Sequence, residues 1–138
     1  MKKKGKAAAG KKVVLAIDDN AMQLKVFQGT LAQNYDIRLV KSASEALYLL
    51  KDTTVDVILL DIEMPSVSGF EFLHDIRKIP KYMNVPVIIV TGHTEPDFLE
   101  SAHNSSAAEV LIKPVSSRTL IESIEKALTM SPKNPFGL

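Results

Sequence analysis

Short apolar segments alternate along the chain with longer segments in which apolar residues recur at helical spacing. The five apolar segments span residues 13–17, 37–40, 55–60, 85–90 and 109–112. Nearly continuous apolar runs of this length are typical of strands that are buried on both faces of a parallel sheet. The pattern therefore predicts five strands, with residues 55–60 as a central one.

The segments that follow the strands contain residues that commonly cap helices. The expected N-caps are Asn20, Ser42, Ser68 and either Ser116 or Ser117. The first three helices are expected to end near residues 33, 51 and 80. The fourth helix is expected over residues 94–104, and the fifth is expected to include Leu128. Phe70 and Phe72 are expected in the core. Repeated strand–helix–strand units give a doubly wound α/β fold, with a five-stranded parallel sheet and five helices.

Polar side chains follow four of the five predicted strands. They are Asp18, Asp19, Asp61, Thr91 and Lys113. Because the carboxyl ends of parallel strands meet at one edge of the sheet, where such folds bind ligands, we expect these side chains to lie close together.

This set of residue types suggests a site that handles a phosphoryl group. Three clustered carboxylates repel one another and need a cation, and oxygen donors without cysteine or a nearby histidine favour Mg²⁺. A carboxylate can also attack phosphorus to form an aspartyl phosphate, for which Asp61 is the candidate. The ammonium of Lys113 and the hydroxyl of Thr91 would then stabilise the anionic phosphoryl group.

Composition and charge predict one folded domain with a basic arm. The chain has 138 residues, 46% of them hydrophobic, and no cysteine, which excludes disulfides and thiolate metal sites. Six of its 17 basic residues lie in the first twelve positions, where there are no acids. We expect a flexible arm over residues 1–11, a domain over 12–130 and a tail over 131–138. A solvated arm is favoured over one that docks on nucleic acid or an acidic surface. No membrane insertion and no signal peptide are expected.

The same residues resemble the receiver domains of two-component response regulators, the chemotaxis receiver among them. The matching motifs are Asp18-Asp19, Asp61 with Met64-Pro65 and Gly69, Thr91-Gly92 and Lys113-Pro114. The resemblance runs from Lys12 to about Met130 and implies a flavodoxin-like fold with strand order 2-1-3-4-5. It also implies a cytoplasmic signalling or phosphorelay protein whose Asp61 is phosphorylated by a histidine kinase or histidine phosphotransfer protein. Phosphorylation would switch a surface that binds a downstream protein target.

The resemblance further implies how Mg²⁺ is held. Asp19 and Asp61 would be direct ligands together with the backbone carbonyl of Glu63, and Asp18 would act largely through water. The peptide bond between Lys113 and Pro114 is often cis in this family.

Three features depart from the usual receiver sequence. Receivers commonly carry Tyr or Phe three residues before the lysine, where this chain has Val110, which puts the usual aromatic readout in doubt. Ser106-Ala107 stands where Gly-Ala is usual, and the segment from Ser42 to Glu45 is about two residues short. Glu63 and His93 border the implied phosphoryl site, where each is a candidate for tuning hydrolysis, whereas no metal site is expected at His74, His93 or His103.

Two other functions remain open on the sequence. A pseudo-receiver would bind a partner without being phosphorylated, and only Val110 favours it. A small phosphohydrolase with an aspartyl nucleophile would have an acid two residues after Asp61, as Glu63 is, but 138 residues leave no room for a cap over the substrate. We therefore expect a protein that catalyses uptake and hydrolysis of its own phosphoryl group and is not a turnover enzyme.

Overall fold

The structure of the protein, a computed structural model, describes residues 10–64 and 68–129. Most of the expected basic arm, the expected tail and residues 65–67, which include Pro65, lie outside the described residues. None of the described helices is long and apolar enough to cross a membrane.

In the part of the chain that the structure describes, five parallel strands form one sheet, as the sequence predicts. They are β1 (Val13–Ile17), β2 (Asp36–Val40), β3 (Val57–Leu60), β4 (Val87–Thr91) and β5 (Glu109–Ile112). Their order is β2-β1-β3-β4-β5, which confirms the expected flavodoxin-like arrangement. Ile17 is level with Leu60 and Thr91 is level with Ile112. This register brings the residues that follow β1, β3 and β5 to the same edge as the end of β4.

Two of the strands begin later than the apolar pattern predicts, and both differences come from a change in the hydrogen bonds at the start of the strand. The carboxylate of Asp56 accepts a hydrogen bond from Val13 N at 2.7 Å, so a side chain replaces the carbonyl that a regular ladder would use. The predicted start of β3 at residue 55 was therefore wrong by two residues. Pro86 has no N–H group to donate, and β4 starts after it, at Val87.

Within the described residues, five α-helices connect and follow the strands. They are α1 (Ala21–Leu31), α2 (Ala43–Asp52), α3 (Gly69–Ile76), α4 (Pro96–His103) and α5 (Ser117–Thr129). The side chains of Asn20, Ser42 and Ser68 accept hydrogen bonds from the first turns of α1, α2 and α3. Ser116, rather than Ser117, accepts from Thr119 N at the start of α5. Helix α3 ends four residues before Pro80, which instead opens a short 3₁₀ turn (Pro80–Tyr82).

The helices cover both faces of the sheet and create two apolar cores. Alternate residues of each strand point to opposite faces. One core contains Leu15, Ile17 and Ile58 with residues of α2, α3 and α4, and the other contains residues of α1 and α5. Phe72 is fully buried, as expected, but Phe70 is only partly buried at the margin of its core.

Candidate functional site

Three acidic side chains meet at the carboxyl edge of the sheet. Oxygen atoms of Asp18, Asp19 and Asp61 all lie within 4.8 Å of one another. Asp18 directly follows β1 and is only 1% exposed, whereas Asp61 directly follows β3 and is 7% exposed. Asp19 is exposed. The sequence-based expectation that these carboxylates lie together is therefore met by the fold.

Lys113 reaches across the sheet to two of these carboxylates. It follows β5, and its Nζ atom lies 2.8 Å from Asp18 Oδ2 and 3.4 Å from Asp61 Oδ2. The first distance is that of a charge-assisted hydrogen bond and the second is that of a looser ion pair. The peptide bond that joins Lys113 to Pro114 is cis, as the resemblance implies.

Backbone donors also fix the two buried carboxylates. Asn20 N donates to Asp18 Oδ1 at 2.9 Å, and Glu63 N donates to Asp61 Oδ1 at 3.2 Å. The backbone of Asp61 itself is anchored, because its N–H donates to Ile17 O at 3.0 Å. Both carboxylates are thus held in place by their own loops as well as by Lys113.

Burial makes the ionised form of Asp61 costly. Desolvation first, and then the negative charge of Asp18, raise the pKa of Asp61 from its ordinary value of 3.8 to about 6. The charge of Lys113 and the hydrogen bond from Glu63 N act in the opposite direction but are the weaker effects. Burial alone would lower the pKa of Lys113, but the bond to Asp18 and the charge of Asp61 raise it overall. Lys113 therefore stays charged beside the two acids.

Thr91 is the last residue of β4 and is fully buried. Its carbonyl oxygen accepts a hydrogen bond from Lys113 N at 2.8 Å, which ties the ends of β4 and β5 together. Its hydroxyl oxygen accepts a hydrogen bond from His93 N at 3.1 Å. Because the hydroxyl acts as an acceptor there, its own proton remains available to another partner.

Gly69 allows α3 to start directly against the loop that carries Asp61. A Cβ atom at this position would lie 2.7 Å from Ile62 Cα and 2.8 Å from Asp61 O, both of them backbone atoms. Gly69 N also donates to Ile62 O at 2.9 Å, which fixes the close approach. The glycine that the sequence places eight residues after Asp61 is thus required by packing.

The ring of His93 bridges two acidic side chains beside the site. Its Nδ1 atom lies 2.8 Å from Glu63 Oε2 and its Nε2 atom lies 2.5 Å from Glu95 Oε1. The hydrogen bond to Glu63 and then that to Glu95 raise the pKa of His93. The ring also stacks on Phe98, with centroids 4.2 Å apart and planes inclined by 25°.

The sequence singled out Glu63 and His93 but missed Glu95 and Phe98 as their partners. One signal was present in the sequence, since Glu95 occupies the N-cap position of α4 although glutamate is not a favoured N-cap. Its carboxylate makes no capping hydrogen bond and contacts His93 instead. The contact with Phe98 depends on the path of the loop between β4 and α4, which no local pattern encodes.

The three carboxylates fit a divalent metal ion. They offer oxygen ligands only, and among the described residues they form the one group of histidine and acidic side chains close enough to share an ion. Such ligands suit a hard cation such as Mg²⁺ or Ca²⁺ better than a transition metal.

Comparison with known families identifies the fold and the class of the protein. The family described as "Response regulator receiver domain" matches residues 14–125. The chain belongs to this family and is a receiver domain of the two-component signalling type. Receiver domains of this family generally bind Mg²⁺ at an acidic cluster and interact with histidine kinases and downstream targets.

Individual relatives agree with this assignment. The chain is 30% identical over 118 residues to the polar-differentiation response regulator DivK of Brucella ovis, covering 85% of this chain and 96% of that protein. It is 34% identical over 103 residues to a probable cyclic di-GMP phosphodiesterase of Vibrio cholerae, covering 75% of this chain but only 23% of that protein. The structure of chemotaxis protein CheY4 of Vibrio cholerae superposes with a TM-score of 0.80 at 28% identity, covering 86% of this chain and all of the other.

Proposed function

We propose that Asp61 is the phosphoacceptor of this receiver domain. The observation that carries the proposal is the convergence of Asp61, two further carboxylates and Lys113 at one edge of the sheet. An Asp61 oxygen forms a bond to the phosphorus of a phosphohistidine while the phosphorus–nitrogen bond of the donor breaks. The electron pair of that bond remains on the donor imidazole, and Asp61 becomes an acyl phosphate.

Two further residues stabilise the transferred group. Lys113 already lies 3.4 Å from Asp61 Oδ2, so its ammonium is in place to pair with an oxygen of the phosphoryl group. The hydroxyl of Thr91 accepts from His93 N and has its own proton to donate to a second phosphoryl oxygen. These roles are supported by the position of both residues at the ends of the neighbouring strands β5 and β4.

The metal ligands in this proposal are the carboxylates of Asp18, Asp19 and Asp61 and the backbone carbonyl of Glu63. Asp18, whose Oδ2 atom accepts a hydrogen bond from Lys113, would act largely through water, as the family resemblance implies. These ligands would hold Mg²⁺, which would supply positive charge to offset the clustered acids and polarise the phosphoryl oxygens. Glu63 N and Lys113 hold the carboxylate of Asp61 in position, and its burial limits the access of water.

The proposed phosphodonor is a histidine kinase or a histidine phosphotransfer protein, and the output is a change in the affinity for a downstream protein. Phosphorylation biases an equilibrium between two conformations that present different binding surfaces. We propose a cytoplasmic location, with which the lack of cysteine is compatible. We also propose that the domain is not a turnover enzyme, so that it should release almost no product from an aryl phosphate.

Intact-mass measurement after incubation with acetyl phosphate tests the proposal. The parent protein should gain one phosphoryl group in the presence of Mg²⁺ and none in its absence. Asp61→Asn should gain none, whereas Asp75→Asn, an exposed aspartate on α3, should behave as the parent does. An unchanged rate of uptake in Asp61→Asn would refute Asp61 as the acceptor.

If acetyl phosphate does not phosphorylate the protein, binding of beryllofluoride provides a second test. This acyl-phosphate mimic should shift the amide NMR signals of Asp61 and Thr91 in the parent when Mg²⁺ is present. If neither a mass adduct nor these shifts are observed, the chain is a pseudo-receiver that binds its partner without phosphorylation.

A further inference from the structure

The loop that leads into β4 (residues 78–86) exposes lysine and apolar side chains next to one another. Lys78 and Lys81 are exposed, and Ile79 and Met83 between and after them are 36% and 52% exposed. The loop contains no acidic residue. Apolar side chains that are exposed together, rather than scattered singly, indicate a surface that contacts another body.

The backbone of this loop is anchored from inside. Tyr82, which precedes Met83, is 2% exposed, and its hydroxyl donates to Leu50 O and Thr53 O, both at 2.8 Å. The guanidinium of Arg77 donates to Tyr82 O at 3.0 Å. Because Tyr82 is held in the core, the chain presents the neighbouring Met83 to solvent in a fixed position.

The basic start of the chain joins the fold at the same edge of the sheet, called here the amino edge because the strands begin there. Lys12 is exposed and directly precedes β1, and residues 84–86 directly precede β4, with only β3 between the two strands. Neighbouring strands lie about 4.8 Å apart, so the starts of β1 and β4 are about 10 Å apart. Residues 2–12, with six lysines and no acid, are thus tethered beside the loop. The exposed charges of Lys51 and Asp52, at the nearby end of α2, offset each other.

The opposite edge of the sheet is rich in acids. Asp18, Asp19 and Asp61 lie together there, Glu63 and Glu95 flank them on His93, and Lys113 offsets part of their charge. Strands of four or five residues separate the two edges by about 15 Å. An anionic surface would therefore attract the amino edge and repel the edge that carries Asp61, which favours one orientation of the domain.

We propose that the amino edge, with Lys78, Ile79, Lys81 and Met83, docks on an anionic phospholipid bilayer. Clusters of about four to eight basic residues bind the negative surface of such a membrane. Ile79 and Met83 enter the boundary between headgroups and acyl chains. A nucleic acid would attract the same lysines through its phosphates but would gain little from these aliphatic side chains. The domain is held as a peripheral protein, with Asp61 facing away from the membrane, whether or not Asp61 is phosphorylated.

Co-sedimentation of the full chain with lipid vesicles tests the proposal. Vesicles of phosphatidylcholine that contain about one third phosphatidylserine should bind the parent, whereas vesicles of phosphatidylcholine alone should not. Raising the salt concentration from about 0.05 M to about 0.5 M should release most of the bound protein, because salt screens the attraction between the lysines and the headgroups.

A charge-matched pair of double variants locates the contact. Lys78→Glu with Lys81→Glu should weaken binding to the anionic vesicles by about tenfold or more. Lys25→Glu with Lys41→Glu makes the same change in net charge on α1 and directly after β2, away from the amino edge. This control should weaken binding by at most about twofold. All four lysines are exposed, so circular dichroism of both variants should match that of the parent.

A second matched pair tests the apolar contribution. Met83→Ser should weaken binding to the anionic vesicles by about three- to fivefold, because a methionine side chain no longer leaves water. Met22→Ser removes a methionine that is 71% exposed at the start of α1, next to the acidic edge, and should leave binding unchanged.

The possible results separate the bilayer from its alternatives. Binding of the parent to both kinds of vesicle or to neither would overturn the proposal, and so would equal loss of binding in the two double variants. If Met83→Ser bound vesicles as the parent does, and the parent bound a DNA duplex of random sequence through Lys78 and Lys81, the surface would be one for nucleic acid instead. None of these results bears on phosphoryl uptake by Asp61. Selective loss in the Lys78, Lys81 and Met83 variants would establish the membrane contact.

Discussion

The ammonium of Lys113 lies 2.8 Å from the buried carboxylate of Asp18, at the far side of two intervening strands. The same ammonium is 3.4 Å from Asp61, so one cation is shared unequally between two buried acids. Lys113 lies closer to Asp18 than to Asp61. Desolvation of Asp61 outweighs the opposing effect of the Lys113 charge, so the pKa of Asp61 is raised. The stability of the domain should therefore depend on the charges at this edge.

Removing the shared cation should destabilise the domain. Lys113→Ala leaves Asp18 and Asp61 facing each other without a positive charge, and unfolding should become easier by about 2–4 kcal/mol when a chelator is present. Added Mg²⁺ should recover part of this loss because it supplies a replacement charge. Urea denaturation in chelator and in Mg²⁺ measures both effects, with Lys126→Ala on the exposed face of α5 as the control. Equal stability of Lys113→Ala and the parent in chelator would contradict this account.

In chelator, the free energy of unfolding of the domain should decrease as the pH rises from about 4 to about 6, because Asp61 ionises over this range. Its pKa is about 6 in the folded protein and 3.8 ordinarily, so the folded state binds the proton more tightly. As pH rises from 4, the unfolded chain ionises first, and the stabilisation from the protonated folded form is lost by about pH 6. Above that range the loss is complete and no longer changes with pH.

Asp61→Asn should lack this part of the pH dependence. At pH 7 in chelator the variant should be more stable than the parent by on the order of 1–3 kcal/mol, because it has no charge to bury. Thermal unfolding at a series of pH values measures the difference between the two proteins, and Asp75→Asn should follow the parent. A constant difference between parent and Asp61→Asn from pH 4 to pH 7 would show that the pKa of Asp61 is not raised.

The sequence predicted the parallel sheet, its helices and the cluster of Asp18, Asp19, Asp61 and Lys113, because each depends on local patterns. Strand ends carry the polar residues, and the register of a parallel sheet brings strand ends together. The start of β3 was predicted wrongly because the carboxylate of Asp56 takes a hydrogen bond that the apolar pattern assigns to a backbone carbonyl. Whether a side chain takes the place of a backbone acceptor in this way depends on which residues are neighbours in three dimensions.

Arg77 shows a second contact that sequence patterns do not reveal. Its guanidinium donates to Val85 O at 2.7 Å, to Tyr82 O at 3.0 Å and to the hydroxyl of Ser106 at 2.9 Å. Ser106 was noted from the sequence only as a departure from the usual glycine of receivers. In the structure, the hydroxyl of Ser106 binds Arg77, which also contacts the loop before β4. Arg77 thus joins the segment before β5 to the loop before β4.

Substitutions at Arg77 and Ser106 should be coupled. Arg77→Met leaves four acceptors without a donor, because the guanidinium also donates to Ser106 O at 3.2 Å. It should lower the free energy of unfolding by about 2–4 kcal/mol, whereas Ser106→Ala removes only the exposed hydroxyl bond and should cost about 0.5–1 kcal/mol. The double variant should cost less than the sum of the two, since the serine bond is already absent without Arg77. Urea denaturation of the four proteins measures the coupling. Strict additivity would show that the bond to Ser106 contributes nothing.

Among the described glycines, Gly69 should be the one at which a side chain most disturbs the position of Asp61. In Gly69→Ala the added Cβ atom would meet the backbone of Ile62 and Asp61 at 2.7 and 2.8 Å, and neither atom can move as a flexible side chain could. Either α3 or the loop that carries Asp61 must shift. We expect a loss of about 1–3 kcal/mol in the free energy of unfolding and a slower Mg²⁺-dependent uptake of phosphoryl from acetyl phosphate.

Gly29→Ala is the matched control for this substitution. Gly29 lies within α1, and a Cβ atom there would have no heavy atom within 4 Å apart from its chain neighbours and the nearby backbone of its own helix. Alanine should therefore stabilise the helix by about 0.5–1 kcal/mol and leave phosphoryl uptake unchanged. Opposite signs of the two stability changes, measured by urea denaturation, would show that the penalty at Gly69 comes from its contact with the Asp61 loop. If Gly69→Ala were as stable as Gly29→Ala and took up phosphoryl at the parent rate, the close approach of α3 would not hold Asp61 in position.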